Sequence, residues 1–136
     1  MNRFRAVFMA VTISILTTES ALAGAVTESA SSGSVKERYL QYHAAMRAAE
    51  LCAGYNFDRR ADNADIAWIA QAKSRIGAFI DSELKYQINV GERLDLIEQA
   101  KTGTEMKIEA NGCDDPAAVE LLSVFETEIA PLLPPL

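Results

Sequence analysis

The sequence predicts an all-α protein, an antiparallel up-down-up-down four-helix bundle. Three observations carry this expectation. Apolar residues recur at helical spacing in four segments of residues 34 to 136, and short breaker-rich stretches separate the segments. Two cysteines, Cys52 and Cys113, fall where such a topology brings them to one end of the bundle.

The chain begins as an exported one. "MNRFR" is a basic start, "AVFMAVTISIL" an apolar run, and "TTESALA" ends in the small-x-small pattern Ala21-Leu22-Ala23. Charged start, apolar middle and A-x-A exit describe a secretory signal peptide over residues 1 to 23, cleaved between Ala23 and Gly24. The run falls short of the roughly 18 to 20 residues that span a bilayer. The mature chain is expected in the periplasm or secreted space. Residues 24 to 33, "GAVTESASSG", are small and polar and read as a disordered lead-in. Residues 34 to 136 form one helical domain with a short apolar, Pro-rich C-terminal tail.

The first helix is expected over about Val35 to Cys52. It opens on the capping box "SVKE", where Ser34 and Glu37 satisfy free backbone amides. Tyr39, Tyr42, Met46 and Ala49 form its buried stripe, with Leu40 and Leu51 beside it, and Gly54 stops it. The second helix starts near Asp62 or Asn63. Ile66, Ile69, Ile76, Ile80 and Leu84 share its inner face, flanked by Trp68, Ala72 and Phe79, with Gly77 inside the pattern. "YQINVG", residues 86 to 91, is a β-like interruption. The third helix runs from about Glu92 to Ala110 with a weaker stripe of Leu94, Ile97, Lys101, Thr104 and Ile108, and Asn111-Gly112 ends it in a left-handed cap. The fourth begins at "DDPAAVE", where Asp115 caps and Pro116 suits the first turn. Ala118, Leu121, Leu122, Phe125 and Ile129 face inward, and the helix ends near Pro131.

An even pair of cysteines in a small exported domain implies a structural disulfide, Cys52 to Cys113. Closing so long a loop stabilises by roughly 4 kcal/mol in the chain-entropy model. The full chain carries 13 basic and 19 acidic residues; without Arg3, Arg5 and Glu19 it keeps 11 and 18, a net charge of −7. That balance disfavours nucleic acid as a partner.

The stretch most like a site is "ELCAGYNFDRRADNAD", residues 50 to 65. As a calcium loop it fails: an EF-hand register begun at Asn56 puts Arg60 at position 5 and Ala67 at position 12, where oxygen ligands belong. Asp62, Asn63 and Asp65 read instead as caps for the second helix. His43 is the only histidine and is expected on an exposed face among Lys36, Arg47 and Glu50, so no catalytic, zinc or haem arrangement is expected and no cofactor is assigned. Tyr55, Phe57, Arg59 and Arg60 remain as candidate binding residues, being the aromatic and Arg types enriched at hot spots. Residues 108 to 136, with six acids and no Lys or Arg, and the tail "PLLPPL" are further candidate surfaces. The function expected is a non-enzymatic interaction protein (a chaperone, assembly factor or accessory subunit) whose partner is another protein. The alternative is a small-ligand or cofactor carrier with a cavity between its helices, motivated by Lys101 and Thr104 at core-like positions.

Overall fold

A computed structural model describes residues 19 to 84 and 87 to 136, with side chains from residue 35 onward. Among the described residues the chain is all-helical: α1 Glu19–Cys52, α2 Ile66–Leu84, α3 Val90–Asn111 and α4 Pro116–Val124, followed by a π-helical turn Phe125–Ile129 and a 3-10 turn Ala130–Leu132. The basic start and apolar run of the expected signal peptide lie outside the described residues.

The helix starts differ from expectation in instructive ways. α1 begins at Glu19, so residues 24 to 33, read as a disordered lead-in, are helical, and Ser34 lies inside a helix rather than at its cap. The segment holds no proline, and an already propagating helix leaves no free amides for a capping box to satisfy. α2 starts later than Asp62 because Asp65 is the residue that caps it, its Oδ1 accepting from the Trp68 N–H at 2.9 Å. α3 starts earlier than Glu92, because Asn89 Oδ1 accepts from the Glu92 N–H at 2.8 Å. Two starts and stops fall where sequence places them. Asp115 Oδ2 accepts from the Ala117 N–H with Pro116 in the first turn, and Gly112, at φ 81°, donates its N–H to the Ile108 carbonyl.

The core joins all four helices. Tyr39, Tyr42, Ala45 and Ala49 of α1 pack with Ala72, Ile76, Ile80 and Leu84 of α2 and with Phe125 and Ile129 of the C-terminal turns. Alanines on α1 permit close approach of the neighbouring helices, which supply the larger side chains. Two expected stripes need correction at their edges. Leu94 is 63% exposed and Ile66 59%, whereas Ala100 is buried. On α3 the inward register is Ile97, Ala100 and Thr104, and the buried Thr104 hydroxyl donates to the Ala100 carbonyl at 2.6 Å, so no polar group is orphaned there.

Pairs between elements fix their mutual positions. Lys36 meets Glu92, Arg47 meets Glu105, and Arg38 meets Glu128. Cys52 is disulfide-bonded to Cys113, with Cα atoms 5.8 Å apart. Among the described residues no helix is long and apolar enough to cross a membrane.

Candidate functional site

The corner between α1 and α2, residues 53 to 65, is built by its own polar residues. Gly54 takes φ 75°, the left-handed conformation that ends α1. Asn56 Oδ1 accepts from the Asp58 N–H at 2.8 Å, and Asp58 Oδ1 accepts from the Arg60 N–H at 2.9 Å, two successive Asx turns. The second of these bonds holds the Asp58 carboxyl below its ordinary pKa. Glu50 reaches over from the last turn of α1, its Oε1 accepting from the Phe57 N–H at 3.2 Å. The crowd of polar residues that resembled a site in sequence is largely occupied in turning the backbone.

The four corner residues singled out by sequence separate into two pairs. Phe57 is 3% exposed, stacked at 6.0 Å on Trp68 and at 6.3 Å from Phe125. Tyr55, half-buried, lies 4.8 Å from the Phe125 ring. Both aromatics close the end of the core. Arg59 and Arg60 are exposed. The apolar tail also turns inward. Pro134 is buried, and its carbonyl accepts the Trp68 indole N–H at 3.1 Å, while Leu133 packs on the core.

A cavity of about 420 Å³ lies between α1, α2, α3 and the corner. Tyr39, His43 and Met46 line it from α1, Ile76 and Ile80 from α2, and Ile97 from α3. Gly77 belongs to the same wall, and a Cβ added there would meet nothing within 4 Å. The space beside Gly77 is thus open enough to take a side chain. Charged residues share the lining: Arg47 and Glu50 from α1, Asp58 and Arg60 from the corner, Lys73 and Asp81 from α2, and Lys101 from α3. A cavity of a few hundred Å³ with mixed walls is of the size that holds drug-sized ligands.

Sequence placed His43 on an exposed face. It is instead half-buried in the cavity wall, its ring 4.7 Å from that of Tyr39. Lys36, Arg47 and Glu50 suggest a solvated face, but the cavity it lines is completed by Ile76 and Ile80 of α2 and Ile97 of α3, far away in the chain. Burial pushes its pKa down to about 4, so it is neutral near pH 7. Among the described residues no hydrogen-bonding side chain orients its ring, and no group of three or more His, Cys, Asp or Glu is placed to hold a metal ion. Nearby, the buried Tyr42 hydroxyl accepts from Arg38 Nε at 2.8 Å, and burial raises its pKa to about 12.

Arg47, in the cavity lining, links α1 to α3. Its guanidinium pairs with Glu50 at 2.8 Å and also with Glu105 of α3, yet its Nε is buried with no hydrogen-bond partner among the described residues. The charges bordering the cavity are not equivalent. Glu50 is held by Arg47, Asp58 lies 3.6 Å from Arg60, and Asp81 accepts from Arg93 at 3.1 Å. Lys73 and Lys101 have no carboxylate partner among the described residues. The expectation of Lys101 and Thr104 at core-like positions needs correction: Thr104 is buried outside the lining, and Lys101 borders the cavity but is exposed. His43, Met46 and Gly77 gave no signal that singled them out.

Comparison of the chain with family models, curated proteins and solved structures finds no match.

Proposed function

We propose that the chain is an exported, non-enzymatic binding protein that carries a small molecule in the cavity between α1, α2 and α3. The observation that carries this reading is the cavity itself, about 420 Å³, with open space beside Gly77 and a lining that mixes apolar and charged side chains. The interaction-protein reading loses two of its surfaces to the fold, since Tyr55 and Phe57 plug the core and the tail packs on Trp68. Nothing favours turnover over carriage: among the described residues His43, the only histidine of the sequence, makes no hydrogen bond that would orient it as a base.

Export rests on the signal-peptide pattern, with cleavage between Ala23 and Gly24, and the Cys52–Cys113 disulfide is of the kind that persists in an oxidising compartment. The up-down-up-down arrangement is supported by the order of the pairs. Positions 36, 47 and 52 meet 92, 105 and 113 in the same direction, while Arg38 meets Glu128 at the far end of the last helical segment.

The test is native mass spectrometry with an absorbance scan, on protein purified from its own host, beside the Gly77→Leu variant. A bound small molecule in the wild type that is missing from Gly77→Leu supports the carrier reading. A ligand-free mass in both proteins contradicts it.

A further inference from the structure

We infer that the cavity selects a small organic anion, an apolar body bearing one carboxylate-type head, with Lys73 and Lys101 as the residues that read the charge. This rests on the carrier reading above and adds the chemical class of the ligand.

The first argument is the distribution of charge. The whole chain is acidic, at −6, yet four basic and three acidic residues border the cavity, and His43 adds no charge near pH 7. The second is pairing. Each of the three acids is already engaged: Glu50 by Arg47 and the Phe57 N–H, Asp58 by Arg60, and Asp81 by Arg93. Among the described residues each lining carboxylate therefore has a cationic partner. The two lysines form no ion pair there, although Lys73 is near enough to Asp58 to help hold its carboxyl down, and they come from α2 and α3, on separate walls of one space. A bound anion gains from both without displacing an existing pair.

The apolar part of the ligand follows from the mixed lining. Beside the charges stand the side chains of Tyr39, Met46, Phe57, Ile76, Ile80 and Ile97. A bare inorganic anion would leave these apolar side chains uncovered, and a neutral hydrocarbon would leave the lysines unanswered. An amphipathic anion meets both.

Two dyes separate the possibilities: anilinonaphthalene sulfonate, an apolar two-ring body with one acidic group, and phenylnaphthylamine, nearly the same body without it. Each is titrated into the disulfide-bonded chain, into the double variant Lys73→Glu/Lys101→Glu, into its neutral counterpart Lys73→Gln/Lys101→Gln, and into Gly77→Leu. Near-ultraviolet circular dichroism verifies that each variant is folded. The expected result is at least tenfold tighter binding of the sulfonate than of the neutral dye. The charge reversal then weakens the sulfonate at least tenfold, the neutral counterpart weakens it less, and the neutral dye changes by no more than about twofold. Gly77→Leu abolishes binding of both. Equal affinity for the two dyes, with the sulfonate indifferent to both lysine variants, overturns the anion assignment and leaves the cavity as a neutral-ligand site. Failure of both dyes to bind, or binding of both that Gly77→Leu does not alter, overturns the cavity reading itself.

Discussion

Trp68 donates its indole N–H to the carbonyl of Pro134 across 3.1 Å, tying the last residues of the chain to the first turn of α2. The same indole stacks on Phe57 at 6.0 Å, so tail, corner and α2 meet at one point. Removal of residues 134 to 136 takes away a buried proline and this acceptor. The expected loss is about 1 to 2 kcal/mol of stability, with a red shift of emission from Trp68, the only tryptophan. Unchanged emission and an unchanged denaturation midpoint would mean that the tail does not pack as described.

The disulfide crosslinks two ends that are 61 residues apart in sequence. Replacement of both Cys52 and Cys113 by serine should lower the free energy of unfolding by about 3 to 4 kcal/mol, read as a lower urea midpoint. The corner is also held by Glu50 and the two Asx turns, so the variant should keep its helical circular dichroism at low temperature. Complete loss of helix would show that the crosslink specifies the fold and does more than stabilise it.

Two glycines make opposite predictions. Gly54 sits at φ 75°, where a side chain is strained, so Gly54→Ala should destabilise by about 1 kcal/mol. Gly77 lies within α2 with open space where its Cβ would be, so Gly77→Ala should stabilise by about 0.5 to 1 kcal/mol through helix propensity. Thermal midpoints that move in opposite directions are the expected outcome. A destabilised Gly77→Ala would contradict the open wall.

Local chemistry was largely legible in sequence, and non-local geometry was not. Cys52 with Cys113, Asn111-Gly112 and Asp115-Pro116 declare themselves because each signal lies within a few residues of the structure it makes, or follows from parity alone. The start of α1 was misplaced because a capping box acts only where a helix has free amides, and the segment before Ser34 is itself helical. The stripe expected for α3 is wrong at Leu94 and Lys101, both exposed, while the buried Ala100 is too small to stand out in an apolar pattern. His43 is misplaced on an exposed face because α2 and α3 complete the cavity it lines. Gly77, which sequence marks only as a weak point in a helix, lies in that wall with open space beside it.

His43 gives the cavity a measurable pH signature. Its pKa is about 4 in the folded chain against an ordinary 6.5, because burial disfavours the charged ring. Between these values the unfolded state binds a proton that the folded state excludes, so stability falls as pH drops from about 6.5 toward 4. The contribution lost by pH 4.5 is about 2 kcal/mol. In urea titrations at pH 7 and pH 4.5, His43→Leu should lose less stability than the wild type by that amount. Carboxylates such as Asp58 titrate in both proteins and cancel in the difference. Identical losses in the two proteins would place His43 in solvent.

Under the carrier proposal a small molecule enters the space between α1, α2 and α3. Methyl-resolved nuclear magnetic resonance of the disulfide-bonded chain during titration with anilinonaphthalene sulfonate locates it. The perturbed methyls should be those of Met46, Ile76, Ile80 and Ile97, which line the cavity, and Gly77→Leu should remove the response. Perturbations that instead gather on the exposed Leu94, Met106, Val119 or Leu136, with the cavity methyls unmoved, would contradict the proposal.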